Sequence, residues 1–145
     1  MTAALREQIL AHLQDASPNE GVGLLAVDSM LTADGTAVAR RFFPGTNLDA
    51  SPTRYTMDPL EVLAAIREIE AGSGSMRLGA IVHSHLTSPA TPSATDLREA
   101  FYPDAVMLIA TFATYPAELR AWRIDLEDDL KVVRDVRLEV MPPLR

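Results

Sequence analysis

Two histidines set two residues apart, at the end of an apolar run, constrain this chain more than any other stretch. The run is Met76 to Val82, with β-branched residues at its end, and it reads as a buried strand. His83 and His85 follow it, and the whole sequence of 145 residues has only three histidines. In an extended chain, side chains two apart point the same way, so His83 and His85 face a common point while Ser84 turns away. Asp96 lies eleven residues beyond His85, in what reads as the first turn of a helix. Two imidazoles and one carboxylate are a common three-ligand set for a catalytic zinc, with water in the fourth position. A plainer reading stands beside this one. A strand-end histidine is ordinarily a half-buried polar residue, and Ser93 and Asp96 also fit a capping box, with Ser93 as N-cap and Asp96 at N3.

Composition narrows the choice of chemistry. There are no cysteines, so disulfides, thiolate ligands and a cysteine nucleophile are excluded. Any metal must be held by nitrogen and oxygen. The net charge of −7 argues against a nucleic-acid surface, which needs clustered cations to neutralise phosphates. No apolar run approaches the roughly 18 residues of a membrane span. The N-terminus lacks a basic segment followed by an apolar core, so no signal peptide is expected and the cytoplasm is the expected location. Of 13 basic residues 12 are arginine, and with the abundant alanine this suggests a GC-rich prokaryotic genome. The length suits one domain, residues 1–145, with a substantial core. Oligomeric assembly is left open.

Taken in order, residues 2–16 carry Leu5, Ile9, Leu13 and Ala16 at near four-residue spacing, the apolar stripe of an amphipathic helix. His12 falls beside this stripe and reads as a surface histidine. Gly21 to Leu31 reads as a strand, Thr32 to Gly35 as a turn and Thr36 to Phe43 as the returning strand. Glu20 would stand at the entrance of the first of these; on its own it reads as a solvated charge. Pro44 to Thr56 has no periodicity and reads as a long loop, either bordering a substrate groove or merely exposed. Asp58 and Pro59 open a helix that runs through Leu63, Ile66 and Ile69 to Gly72. Ser93 opens a short helix through Phe101, and Ala105 to Tyr115 is the most core-like strand. Leu119 to Leu126 and Lys131 to Val140 flank an acidic turn and form an expected hairpin, with Pro142-Pro143 ending the ordered part. The sum is an α/β domain with a mixed sheet between helices.

The spacing from His83 through Ser93 to Asp96 resembles the signature of the JAMM (MPN-plus) metalloprotease family. That family also uses a glutamate far upstream, and Glu20, in Pro18 to Leu25, matches it at the start of a strand. The stretch from Asn47 to Glu61 is also similar to the family's approach to its second helix, and the likeness runs from about residue 5 to 125. One departure is Leu86, where the family often has proline. The resemblance implies a single α/β domain of the JAMM/MPN, cytidine-deaminase-like kind. It also implies a Zn2+ ion on His83, His85 and Asp96, with Glu20 as general base and Ser93 as oxyanion donor. The implied activity is that of an isopeptidase acting after the Gly-Gly tail of a ubiquitin-like protein or a sulfur carrier of the MoaD and ThiS type. Two other readings use the same residues: a hydrolase of small amides or thioesters, and a metal-stabilised interaction module without turnover.

Overall fold

The computed structural model describes residues 1–100 and 104–142. Two helices start on side-chain caps. Thr2 accepts from the Leu5 N–H ahead of α1 (Ala3–Asp15), and Asp58 accepts from the Leu60 N–H ahead of α2 (Pro59–Ala71), where Pro59 takes the N1 position that has no partner to lose. Between them lie β1 (Val22–Asp28) and β2 (Ala39–Gly45), followed by β3 (Met76–His85), α3 (Ala94–Arg98), β4 (Val106–Thr111), β5 (Glu118–Glu127) and β6 (Leu130–Val136). The six strands form one sheet in the order β2-β1-β3-β4-β5-β6. Only β3 and β4 run parallel, joined by the crossover that carries α3; the other pairs are antiparallel. The expected mixed sheet between helices is therefore present. No helix among the described residues is long and apolar enough to cross a membrane.

The alternation of side chains divides the core between the two faces of the sheet. Leu25, Phe42, Ala80, Val82 and Leu108 pack against Leu5, Ile9 and Leu13 of α1. Leu24, Ala26 and Phe43 pack on the other face against Ala65 and Ile69 of α2. β1 is thus buried on both sides, which is why it reads as an unbroken apolar run. A third cluster, Ala90, Met107 and Ile109, lies under the loop that follows β3.

Several boundaries differ from the sequence reading. β2 continues to Gly45, because an edge strand tolerates Pro44, whose missing N–H costs no ladder bond. The buried side of α2 is Ala65 and Ile69, and Leu63 is exposed, since the 3.6-residue period that buries Ile69 turns position 63 outward. α3 stops at Arg98, and Phe101 lies outside the described residues, as does Pro143. β4 ends at Thr111, and Tyr115 is fully exposed. The β5–β6 hairpin forms, but β6 ends at Val136 and not at Val140; Asp128 and Asp129 are both at positive φ in its two-residue turn.

Candidate metal centre

β3 delivers His83 and His85 to one face and Ser84 to the other, and all three are buried. The two Nε2 atoms stand 3.3 Å apart. Asp96 Oδ2 lies 3.2 Å from Nε2 of His83 and 3.1 Å from Nε2 of His85. A tetrahedral ion with ligands at about 2.0–2.1 Å spaces them about 3.3–3.4 Å apart, so this triangle is close to the size such an ion requires.

Proton counting gives the same answer. Nδ1 of His85 sits 2.6 Å from the carbonyl of Pro89, which can only accept, so Nδ1 carries the proton. In the neutral ring Nε2 is then a bare lone pair aimed at a carboxylate oxygen. Only a cation between them, a proton or a metal ion, makes that contact favourable. His83, His85 and Asp96 could therefore hold a metal ion. The Pro89 carbonyl is itself fixed on both sides: Thr111 Oγ1 donates to Ser88 O at 2.6 Å, and Trp122 Nε1 donates to Ala90 O at 2.7 Å. Nothing in the local sequence foretells these two anchors, which come from β4 and β5.

Asp96 is presented by a complete capping box. Its backbone N–H donates to Ser93 Oγ at 3.1 Å, and the Ser93 N–H donates to Asp96 Oδ2 at 2.8 Å. The cap reading of the sequence is thus met, and the same carboxylate stands in the group that could hold a metal ion. Burial works to raise the Asp96 pKa, but the His83 and His85 imidazoles and the Ser93 N–H overcome it and hold the carboxyl well below the usual range. Burial lowers His83. It also works to lower His85, but the Asp96 carboxylate and the Pro89 carbonyl reverse the shift and raise it.

Glu20 is buried at the mouth of β1. Its backbone is tied at both ends, N–H to Ser51 O at 2.8 Å and carbonyl from Asn47 Nδ2 at 3.0 Å. Next to it, Ser84 Oγ accepts the Gly21 N–H at 2.8 Å, and the Ser84 N–H donates to Gly21 O at 3.1 Å. The serine that turns away from the metal side thus locks the entrance of β1 beside β3, where Val22 is in register with His83. Burial pushes the Glu20 carboxyl up to about 7, with His85 opposing and Asp96 adding to the shift. All five expected residues are therefore gathered around one end of β3.

The loop between β2 and α2 is ordered by its own side chains. Asn47 accepts from the backbone of Asp49 and Thr56 and donates to Arg54 O at 2.9 Å. Glu61 reaches back from α2 to the Thr46 N–H and hydroxyl. Tyr55, Thr56 and Met57 line an apolar groove of about 720 Å³ beside the centre. His12 departs from its expected place on the surface. Its Nε2 lies 3.0 Å from Val22 O and 3.1 Å from Gly45 O, so it fastens α1 to the ends of β1 and β2 and takes no part in the centre.

Comparisons with known proteins agree with this geometry. A family model described as prokaryotic homologs of the JAB domain matches residues 2–125. The chain is 35% identical over 123 residues to the CysO-cysteine peptidase of Mycobacterium tuberculosis, covering 84% of this chain and 80% of that one. It is 40% identical over 97 residues to the probable TtuB-protein conjugate cleaving protease of Thermus thermophilus, covering 66% and 59%. The solution structure of a protein from Desulfitobacterium hafniense superposes with a TM-score of 0.77 at 30% identity, over 99% of this chain and 92% of that one. A group of two β3 histidines and an aspartate that could hold a metal ion, and a family match over residues 2–125, lead to one assignment: the chain belongs to the prokaryotic JAB-domain family of JAMM-type peptidases.

Proposed function

We propose that this peptidase is a cytoplasmic, zinc-dependent isopeptidase that hydrolyses the amide bond after the Gly-Gly tail of a ubiquitin-like or sulfur-carrier protein. The observation that carries the reading is the triangle of His83, His85 and Asp96 with a buried carboxyl at about 7 beside it. The names of the Mycobacterium and Thermus relatives support the substrate class, since one is a CysO-cysteine peptidase and the other a probable TtuB-protein conjugate cleaving protease.

His83, His85 and Asp96 would hold the zinc. Bound there, it would supply a Lewis acid and lower the pKa of its water to about 7. Glu20, whose carboxyl burial pushes up toward neutrality, would accept the proton of the attacking water and return it to the leaving amine. Ser93 Oγ already accepts the Asp96 N–H, and its own proton remains free to be donated to the developing oxyanion. The Pro89 carbonyl holds His85 in the tautomer whose Nε2 is available as a ligand. No covalent intermediate is required. The test is incubation of the zinc-loaded protein with Gly-Gly-tailed fusion proteins, followed by intact mass measurement. Cleavage after the second glycine, abolished by a chelator, is expected; intact fusions at full zinc loading would leave a metal-stabilised module in its place.

A further inference from the structure

The two histidines of the centre are supported in unlike ways. A metal-bound histidine ordinarily donates its second ring nitrogen to a carbonyl, a carboxylate or a water, and this contact fixes the plane of the ring. His85 has such a contact at Pro89. His83 does not: it is fully buried, and among the described residues its Nδ1 has no hydrogen-bond partner. What it has is a ring against its face. The Tyr55 ring stacks on the His83 imidazole with centroids 4.6 Å apart and planes 29° from parallel.

We propose that Tyr55 is a positioning residue, holding the His83 imidazole in the ligand orientation by stacking in place of the missing hydrogen bond. The inference rests on the ligand role of His83 in the reading above. Stacking suits a ring whose second nitrogen is buried without a partner, because it restrains rotation about the Cβ–Cγ bond without needing a donor or an acceptor. Tyr55 can do this because its own backbone is held. Asn47 grips both neighbours, donating to Arg54 O at 2.9 Å and accepting from the Thr56 N–H at 3.1 Å. Leu48 N–H donates to Thr56 O at 2.8 Å, and the bridge between Asn47 and Met57 closes the loop just ahead of the α2 cap. The same asparagine donates to the carbonyl of Glu20. One loop therefore sets both the orientation of His83 and the backbone of Glu20. The hydroxyl of Tyr55 takes no part in this role; the ring face does.

The test is zinc affinity, measured by chelator competition on the full chain, for Tyr55→Phe, Tyr55→Leu and Tyr55→Ala, with His83→Ala as reference. Phenylalanine keeps the ring and should bind zinc as wild type does. Leucine and alanine remove it and should weaken binding by about 10–100-fold, the usual cost of losing a partner that orients a ligand. Cobalt(II) in place of zinc gives a second readout, since its d–d absorption follows ligand geometry: unchanged for phenylalanine, altered for leucine and alanine. Wild-type affinity in the folded leucine variant would overturn the proposal, and so would a phenylalanine variant as weak as alanine. Should the alanine variant fail to fold, the leucine variant decides alone. None of these readings depends on peptide cleavage, and undiminished zinc in His83→Ala would indict the ligand assignment itself.

Discussion

Two buried carboxyl groups stand near His85, and the chain treats them in opposite ways. Glu20 enters at the start of β1 and Asp96 in the first turn of α3; both are buried, and burial raises both. What separates them is hydrogen bonding. Asp96 receives two imidazoles and the Ser93 N–H, and ends far below the usual carboxyl range. The hydrogen bonds that engage Glu20 among the described residues are to its backbone, so desolvation prevails and the carboxyl rises to about 7. A permanently ionised carboxylate suits a ligand, while one that changes state near neutrality suits a proton carrier. Two acids of nearly equal intrinsic strength become two different tools through their surroundings alone.

The strongest way to break this contrast is to remove the ligand acid. Asp96→Ala should take the zinc content from about one per chain to background, with turnover lost alongside it. Elemental analysis of the purified variant decides this, and full zinc would show that the assigned triangle is wrong. Glu20→Gln should do the reverse. Zinc and fold should persist while turnover drops roughly 10²–10⁴-fold, the usual worth of a general base. Steady-state rates within a few-fold of wild type would remove Glu20 from the reaction.

Ser93 belongs to the Asp96 side of the comparison and sharpens it. As a cap alone, its change to alanine should cost about 1 kcal/mol of stability and leave the rate nearly untouched. As an oxyanion donor as well, it should also lower turnover by about 10²–10³, or roughly 2.7–4 kcal/mol in the barrier. Both effects are expected, to be read from the denaturant midpoint and from zinc-saturated turnover; an unchanged rate would leave only the cap.

The last expected effect is one of pH on the metal-free protein. Glu20 ionises near its ordinary 4.5 when unfolded and near 7 when folded. Between those values the folded state keeps a proton that the unfolded state has released, so its contribution to stability falls as pH rises through the window and then levels off. Glutamine exchanges no proton. The advantage of Glu20→Gln over wild type should therefore grow from pH 4.5 to about 7, reaching about 3 kcal/mol at the upper end. Chemical denaturation of chelator-treated protein across that range measures it, and a pH-independent difference would mean that the buried carboxyl is not raised.

The sequence by itself determined what depends on local geometry. The two-residue period of a strand put His83 and His85 on one side and Ser84 on the other, and the structure keeps that arrangement. The three-residue step of a capping box fixed the relation of Ser93 to Asp96, and four-residue spacing placed Leu5, Ile9 and Leu13 against the sheet. The candidate ligand set followed from the residue types and from the lack of cysteine. Tertiary structure decided everything that needs a partner distant in the chain. His12 became a clasp because the carbonyls of Val22 and Gly45 happen to meet at its ring, a contact invisible in the local pattern of α1. The tautomer of His85 depends on a carbonyl pinned by Thr111 and Trp122, and the support of His83 depends on a tyrosine 28 positions earlier in the sequence. Glu20 read alone as a solvated charge, and it titrates near 7 only because the fold removes water from around it. Desolvation is set by all the atoms packed against a group, and no short stretch of sequence contains them.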